Sequence, residues 1–367
     1  MAIDRKLCVF CGRNPESKNR EHVLPQWLIE LTGHPKRVVT FGVDYSKGKK
    51  PIRFDWASLV VPACEKCNGD YSTLETRAKE IVMSILDRRP VMAESYLTLL
   101  NWLDKVRIGI WLNYRLLENY PIQIQPNFYI NQRIATKDRM VGVYLFDKSE
   151  AVGLNAFGMD SRIFADMPSC FSLRINNILL TNVSADFFCS ANCGFPYPRV
   201  IQFIRSGPDV GKTSMQSFCI SRKRVHPISE FRWIKPSISL FQPIMLPASG
   251  PPWQGGFLGD YNLFDGYLYK HKLEGQPSQG VLFRQWADRV EPIYDTKSIL
   301  EFDKVVGDDS KTMNEIVAQT YDFQLDLYQR YPSVWADGFP PSEFDKAYEA
   351  MKVETTAGLA DFYRHAS

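Results

Sequence analysis

The hydrophobic positions of this chain change period several times, and each change marks an element. Near the N-terminus Leu7, Val9 and Phe10 interleave with Cys8 and Cys11, and Gly12 follows where the backbone must turn. Residues 5–15 therefore read as a knuckle. Residues 26–31 read as one or two helical turns closed by Gly33. Residues 37–41 and 52–54 read as β-like runs separated by a loop of Gly and Lys over 46–50. Residues 59–62 carry the chain into a second cysteine pair. The spacing then becomes helical: Leu74, Ala78, Ile81, Val82, Ile85 and Leu86 recur as on one face. Ser72 and Glu75 have the spacing of a capping box, and Pro90 stops the run. A second helix is expected over about 92–119, with Trp102, Val106, Ile110 and Leu117 on one face.

Beyond Pro121 the periods shorten. Strands are expected at 126–131, 139–147, 171–182, 198–205 and 217–221, separated by Asn, Gly and Pro turns. Residues 235–268, rich in Pro, Gly and aromatics, read as long loops, and two helices close the chain near 312–330 and 342–365. No internal repeat is present. The fold class expected is α+β: a unit over 1–90, a linking or supporting helix over 91–120, and a mixed α+β region over 121–367 that regulates or recognises a target.

Composition fits a soluble globular protein, with 45% hydrophobic and 23% charged residues in 367. The polar N-terminus lacks the apolar run of a signal peptide, and no stretch approaches the ~18 apolar residues of a membrane helix. A cytoplasmic location without membrane contact is expected, where the eight cysteines stay reduced and metal binding is favoured over disulfides. The net charge of +3 is unevenly spread: residues 1–90 hold 16 Lys+Arg against 11 Asp+Glu, and the remainder 28 against 30. The basic tilt permits a phosphate-rich partner without demanding one.

The candidate chemistry lies in the first 90 residues. Cys8-x-x-Cys11 is answered by Cys64-x-x-Cys67, the spacing with which two knuckles present four sulfurs to one zinc ion. The 52 residues between the pairs hold Arg20-Glu21-His22-Val23-Leu24-Pro25, and Asn68 directly follows the last cysteine. This order of two knuckles, an acid–histidine pair with a proline three residues on, and an amide after the last cysteine resembles the HNH family of nucleases over roughly residues 6–88. That resemblance implies a zinc-stabilised ββα-metal (His-Me finger) domain. It further implies that Glu21 and Asn68 hold one catalytic Mg²⁺ or Mn²⁺, and that His22 is the general base on the attacking water. A neutral imidazole with a pKa near working pH suits that task. Arg20 and the lysines of the 46–50 loop are expected at flanking phosphates.

Each residue also has a structural reading. His22 could be a hydrogen-bonded framework residue and Asn68 a helix cap. Glu75 could be a second acidic ligand, but the capping box already accounts for it. Cys170, Cys189, Cys193 and Cys219 have poor ligand spacing and read as core cysteines; the other four histidines have no partner pattern. One departure from the resemblance stands out. Many members of the family carry an asparagine, in the short strand before the second knuckle, that steadies the histidine-bearing loop, and here the sequence is Ala57-Ser58-Leu59-Val60, leaving Ser58 as a substitute. The function expected is an endonuclease that nicks double-stranded DNA, by analogy in anti-phage defence with partner proteins. The competing readings are an RNA-directed nuclease and a non-catalytic zinc module that binds nucleic acid or protein.

Overall fold

The first turn of the chain needs glycine. Gly12 adopts φ 77°, in the left-handed region open to a residue without Cβ, and its N–H reaches the Cys8 carbonyl at 2.8 Å while the Cys8 N–H reaches the Arg13 carbonyl at 2.9 Å. The computed structural model describes residues 7–16, 19–44, 50–117, 130–132, 134–135, 137–147, 152–185, 197–205, 212–221, 234–242, 244–245, 260–262, 278–279, 282–286, 290–306, 310–330 and 343–366.

After the knuckle come β1 (Arg20–His22), α1 (Gln26–Leu31), β2 (Val38–Asp44), β3 (Lys50–Asp55) and β4 (Val60–Pro62), then α2 (Glu65–Leu86), β5 (Val91–Met92) and α3 (Ala93–Leu117). Next are β6 (Asp138–Leu145), β7 (Leu154–Phe157), α4 (Arg162–Asp166), β8 (Cys170–Ile175), β9 (Ile178–Ala185), β10 (Tyr197–Arg205) and β11 (Lys212–Ser221). The remaining strands are β12 (Ile238–Gln242), β13 (Ile244–Met245), β14 (Asp260–Asn262), β15 (Ser278–Gln279), β16 (Leu282–Gln285), β17 (Val290–Ile293) and β18 (Ile299–Leu300), before α5 (Ser310–Arg330) and α6 (Glu343–His365). The fold is mixed α+β, as the sequence leads one to expect, and its largest sheet is antiparallel with seven strands in the order β17-β16-β12-β6-β9-β8-β7.

Several elements depart from the expectations. The run 171–182 is a hairpin, split at Asn176-Asn177, where Asn176 takes φ 52°. Asparagine tolerates the left-handed region, so the pair serves as a turn inside an apolar run. The stretch 235–268 contains β12, which lies between β16 and β6 with all five residues buried. A strand covered on both faces shows no alternation, and its flanking Pro and Gly obscured it. The aromatic Pro-Gly run 251–256 lies outside the described residues. Residues 130 and 131 sit in a short 3-10 turn rather than a strand, and 126–129 lie outside the described residues. The capping box is absent: α2 begins at Glu65 with Cys64 as its N-cap, so Ser72 and Glu75 lie within the helix.

Helix α3 carries the architecture. It was expected to bury one face, yet every residue from Trp102 to Asn113 is buried, the mark of a helix covered on all sides. On one side it meets the N-terminal elements. On the other it meets the sheet, whose period of two decides what it touches. Val141, Val143 and Leu145 of β6 share a core with α3, with the Cys8–Phe10 knuckle and with α2. Met140 and Tyr144 point the opposite way, toward Phe323, Leu327, Ile316 and Tyr321 of α5. The apolar core is thus continuous across residue 90. Gly158, at φ 86°, lets α5 approach the sheet: a Cβ there would lie 2.8 Å from both Thr320 and Gln324.

The contact of α3 with the sheet is also ionic. Asp104 accepts from Arg107 at 2.6 Å and from Arg139 of β6 at 3.2 Å, and the Ala135 N–H reaches it at 3.1 Å. Arg139 further reaches Asn101 at 2.6 Å and Gln242 at 2.9 Å, and Arg107 reaches Asn182 of β9 at 3.1 Å. Asp104, Arg107 and Arg139 are all at most 3% exposed. Removing the carboxylate would strand two buried guanidinium groups, so Asp104→Ala is expected to destabilise the protein by about 3–5 kcal/mol, read as a shift of the chemical-denaturation midpoint.

Candidate metal centre and the adjacent acid–histidine site

Two short segments bring the four cysteines together. Gly12 closes the first knuckle, and the N-terminus of α2 forms the second. There the Cys64 sulfur caps the helix, accepting from the Cys67 N–H at 3.5 Å. The ligand atoms of Cys8, Cys11, Cys64 and Cys67 lie within 4.8 Å of one another, with Cys11 Sγ and Cys64 Sγ 3.7 Å apart. A tetrahedral ion ~2.3 Å from each of four sulfurs places them ~3.8 Å apart, so the spacing fits one ion and is far too long for a disulfide. Among the described residues this is the single group of three or more His, Cys, Asp or Glu residues that could hold a metal. The all-sulfur donor set is the one expected for structural zinc.

Around the cluster the field is mixed. Burial pushes the Cys8 and Cys67 thiols up. Burial works to raise Cys64 as well, but hydrogen bonds from the Cys67 backbone and the neighbouring sulfurs outweigh it and leave this thiol below its ordinary value. Asn131 adds a donor from further along the chain, its Nδ2 3.9 Å from Cys67 Sγ and its Oδ1 held by the Tyr71 hydroxyl at 2.7 Å. The backbone of the same turn bonds the knuckle, Ile130 N–H to Val9 O at 2.9 Å and Asn131 N–H to Phe10 O at 3.1 Å. Such outer contacts orient ligands. Cys170 is a buried core residue with its thiol pushed up by burial; Cys189 and Cys193 lie outside the described residues.

Above the cluster, β1 pairs antiparallel with β4: Arg20 faces Pro62, Glu21 faces Val61 and His22 faces Val60. Alternation along β1 sets the side chains. Arg20 is exposed, Glu21 is buried at 7%, and His22 is half-buried with no imidazole hydrogen bond among the described residues. Asn68 lies in the first turn of α2, its Nδ2 3.4 Å from the Asn19 Oδ1 that also accepts the Arg20 N–H at 2.9 Å. Asn68 therefore stands beside the start of β1 through Asn19. Glu21 turns the other way, into the protein. The Lys47, Lys49 and neighbouring positions of the 46–50 loop lie outside the described residues apart from Lys50, which is exposed.

What Glu21 meets inside is an ammonium. Lys105 of α3, 1% exposed, donates to Glu21 Oε1 at 2.8 Å, to the His22 carbonyl at 3.0 Å and to Glu75 Oε1 of α2. All three of its N–H groups have partners, and it sits 5.9 Å from the centre of the Tyr71 ring. Burial pushes the Glu75 carboxyl up to about 7, although the Lys105 ammonium opposes the shift. Sequence reasoning assigned Glu75 to a capping box and missed Lys105 altogether. The available signal was Asp104-Lys105-x-Arg107 inside an otherwise apolar helix, where charges demand buried partners. Ser58, the suggested substitute for the missing asparagine, instead donates to the Asp55 carbonyl at 2.7 Å.

The chain matches no protein-family model, no curated protein and no solved structure. Among the described residues no helix is long and apolar enough to cross a membrane.

The sulfur geometry carries a direct expectation. The purified protein should contain about one zinc per chain by elemental analysis, and Cys64→Ala should lose it. Because that residue also caps α2, Tm should fall by at least about 10 °C.

Proposed function

We propose that this chain is a metal-dependent endonuclease of the HNH type that nicks double-stranded DNA. The observation carrying the reading is one juxtaposition: Glu21 and His22 lie on a strand paired to the strand that enters the second cysteine pair, and Asn68 lies in the first turn of the helix whose N-terminus forms that pair. A half-buried imidazole without a committed partner among the described residues can take a proton from water, and the exposed Arg20 two residues before it suits a flanking phosphate.

The resemblance would have Glu21 and Asn68, whose oxygens are of the kind Mg²⁺ and Mn²⁺ take, hold the ion, whereas Glu21 here faces Lys105 and Asn68 lies beside Asn19. When bound, such an ion supplies charge neutralisation on the phosphodiester. Lys105 already engages Oε1 of Glu21, so an ion would have to be met by the second oxygen. That same engagement is the observation favouring a second reading, a non-catalytic zinc module in which Lys105 permanently satisfies the acid.

One assay separates the two. Supercoiled plasmid incubated with the protein and Mg²⁺ or Mn²⁺ should yield open circles, and His22→Ala should lower the rate by ~10²–10⁴-fold with zinc content unchanged. No open circles from plasmid and no cleavage of RNA by the wild type would support the non-catalytic module. Cleavage confined to RNA would keep the chemistry and change the substrate.

A further inference from the structure

The lysine at the centre of the acid–histidine site comes from outside the segment between the cysteine pairs, and its three hydrogen bonds have distinct destinations. One goes to the carboxylate of Glu21, one to the backbone carbonyl of His22 and one to Glu75. The first two grip consecutive residues of β1, a strand of three residues paired only to another of three. Strands that short hold little geometry of their own. Directly after His22 the Val23 N–H reaches the Leu59 carbonyl at 2.9 Å. Helix α3 also presses on this point. Gly109, one turn after Lys105, lies so close that a Cβ there would be 3.0 Å from Val23 Cγ1.

We propose that Lys105 is the positioning residue of this site, fixing the Glu21 carboxylate and the His22 main chain from helix α3 so that the imidazole is presented to solvent in one orientation. The inference rests on the nuclease reading above. It explains how the loop is held where Ser58 does not reach it, because the Lys105 ammonium bonds the His22 carbonyl directly. It also makes α3 part of the working site. Lys105 touches no reacting atom in this scheme; it acts through Glu21 and His22. A displacement of about 1 Å at a reacting group can cost ~10²-fold in rate, which sets the scale of the effect.

The test uses the full-length chain and plasmid nicking, with wild type, His22→Ala, Lys105→Met and Lys105→Arg compared at matched zinc content. Lys105→Met should lower kcat by roughly 10²-fold while KM for plasmid stays within about threefold, because DNA contacts are untouched. Lys105→Arg, which keeps a cation and its donors, should recover at least a tenth of wild-type kcat. A merely structural role would lower the amount of zinc-loaded, folded protein without this split. Should Lys105→Met fail to fold with two acids left unpaired, Lys105→Met with Glu75→Gln, which removes one of those charges, carries the same kcat comparison.

Wild-type kcat in the folded methionine variant would overturn the inference and leave the nuclease reading intact. Increased kcat would also overturn it, and would assign Lys105 the opposite role, that of holding Glu21 away from a cation. No cleavage of plasmid or of RNA by the wild type removes the reading and this inference together, and cleavage confined to RNA moves the same kcat comparison to an RNA substrate.

Discussion

A buried ammonium is the constraint on which the N-terminal half of this protein depends. Taking a lysine and two carboxylates out of water costs several kcal/mol per ion, and attraction offsets that only when the geometry leaves no donor unused. Lys105 meets the condition with bonds to Glu21, Glu75 and the His22 carbonyl. Glu21 and His22 lie on β1 and Glu75 on α2, so satisfying one side chain of α3 fixes α3, α2 and β1 relative to each other. An apolar residue at 105 would pack with less penalty but would not specify which strand residues face the helix.

The same helix solves a second problem on its far side. Asp104 and Arg107 precede and follow Lys105 by one and two positions, and their polar heads are met by Arg139 and Asn182 on the sheet. With 3.6 residues per turn, adjacent residues diverge by about 100°, so neighbouring charges necessarily address different surroundings. A short run of ionised residues inside one helix therefore joins two layers that apolar contacts alone would leave free to slide. This is why the core continues across residue 90 although the motif chemistry ends before it.

The sequence made the cysteine cluster legible because its ligands are local pairs, and a spacing of two residues is a property of the chain. It made most helices and several strands legible for a related reason: α2 and α3 announce themselves by apolar recurrence. It did not reveal β12, a strand of five residues buried on both faces, nor the Asn176 turn hidden in an apolar run. It misplaced the start of α2, because Ser72-x-x-Glu75 has the spacing of a cap while the true cap is a sulfur, Cys64. That error hid Glu75, whose real partner lies 30 residues away. Pairings at that separation, or at the 84 residues between Glu21 and Lys105, leave no periodic trace.

The arrangement of the candidate site follows from how little structure β1 and β4 have. A two-stranded ribbon of three residues per strand is marginal in water, so its ends must be held by something else. At one end the cysteine cluster holds it, since β4 runs into Cys64 and the Val9 N–H bonds the Pro62 carbonyl at 3.0 Å. At the other end Lys105 holds it through Glu21 and His22. The histidine thus sits at the end fixed by the ammonium, on a segment of little intrinsic rigidity whose other end is fixed by the cysteine cluster. A site built this way takes its precision from the two anchors, and only one of them lies in the segment where the motif is written.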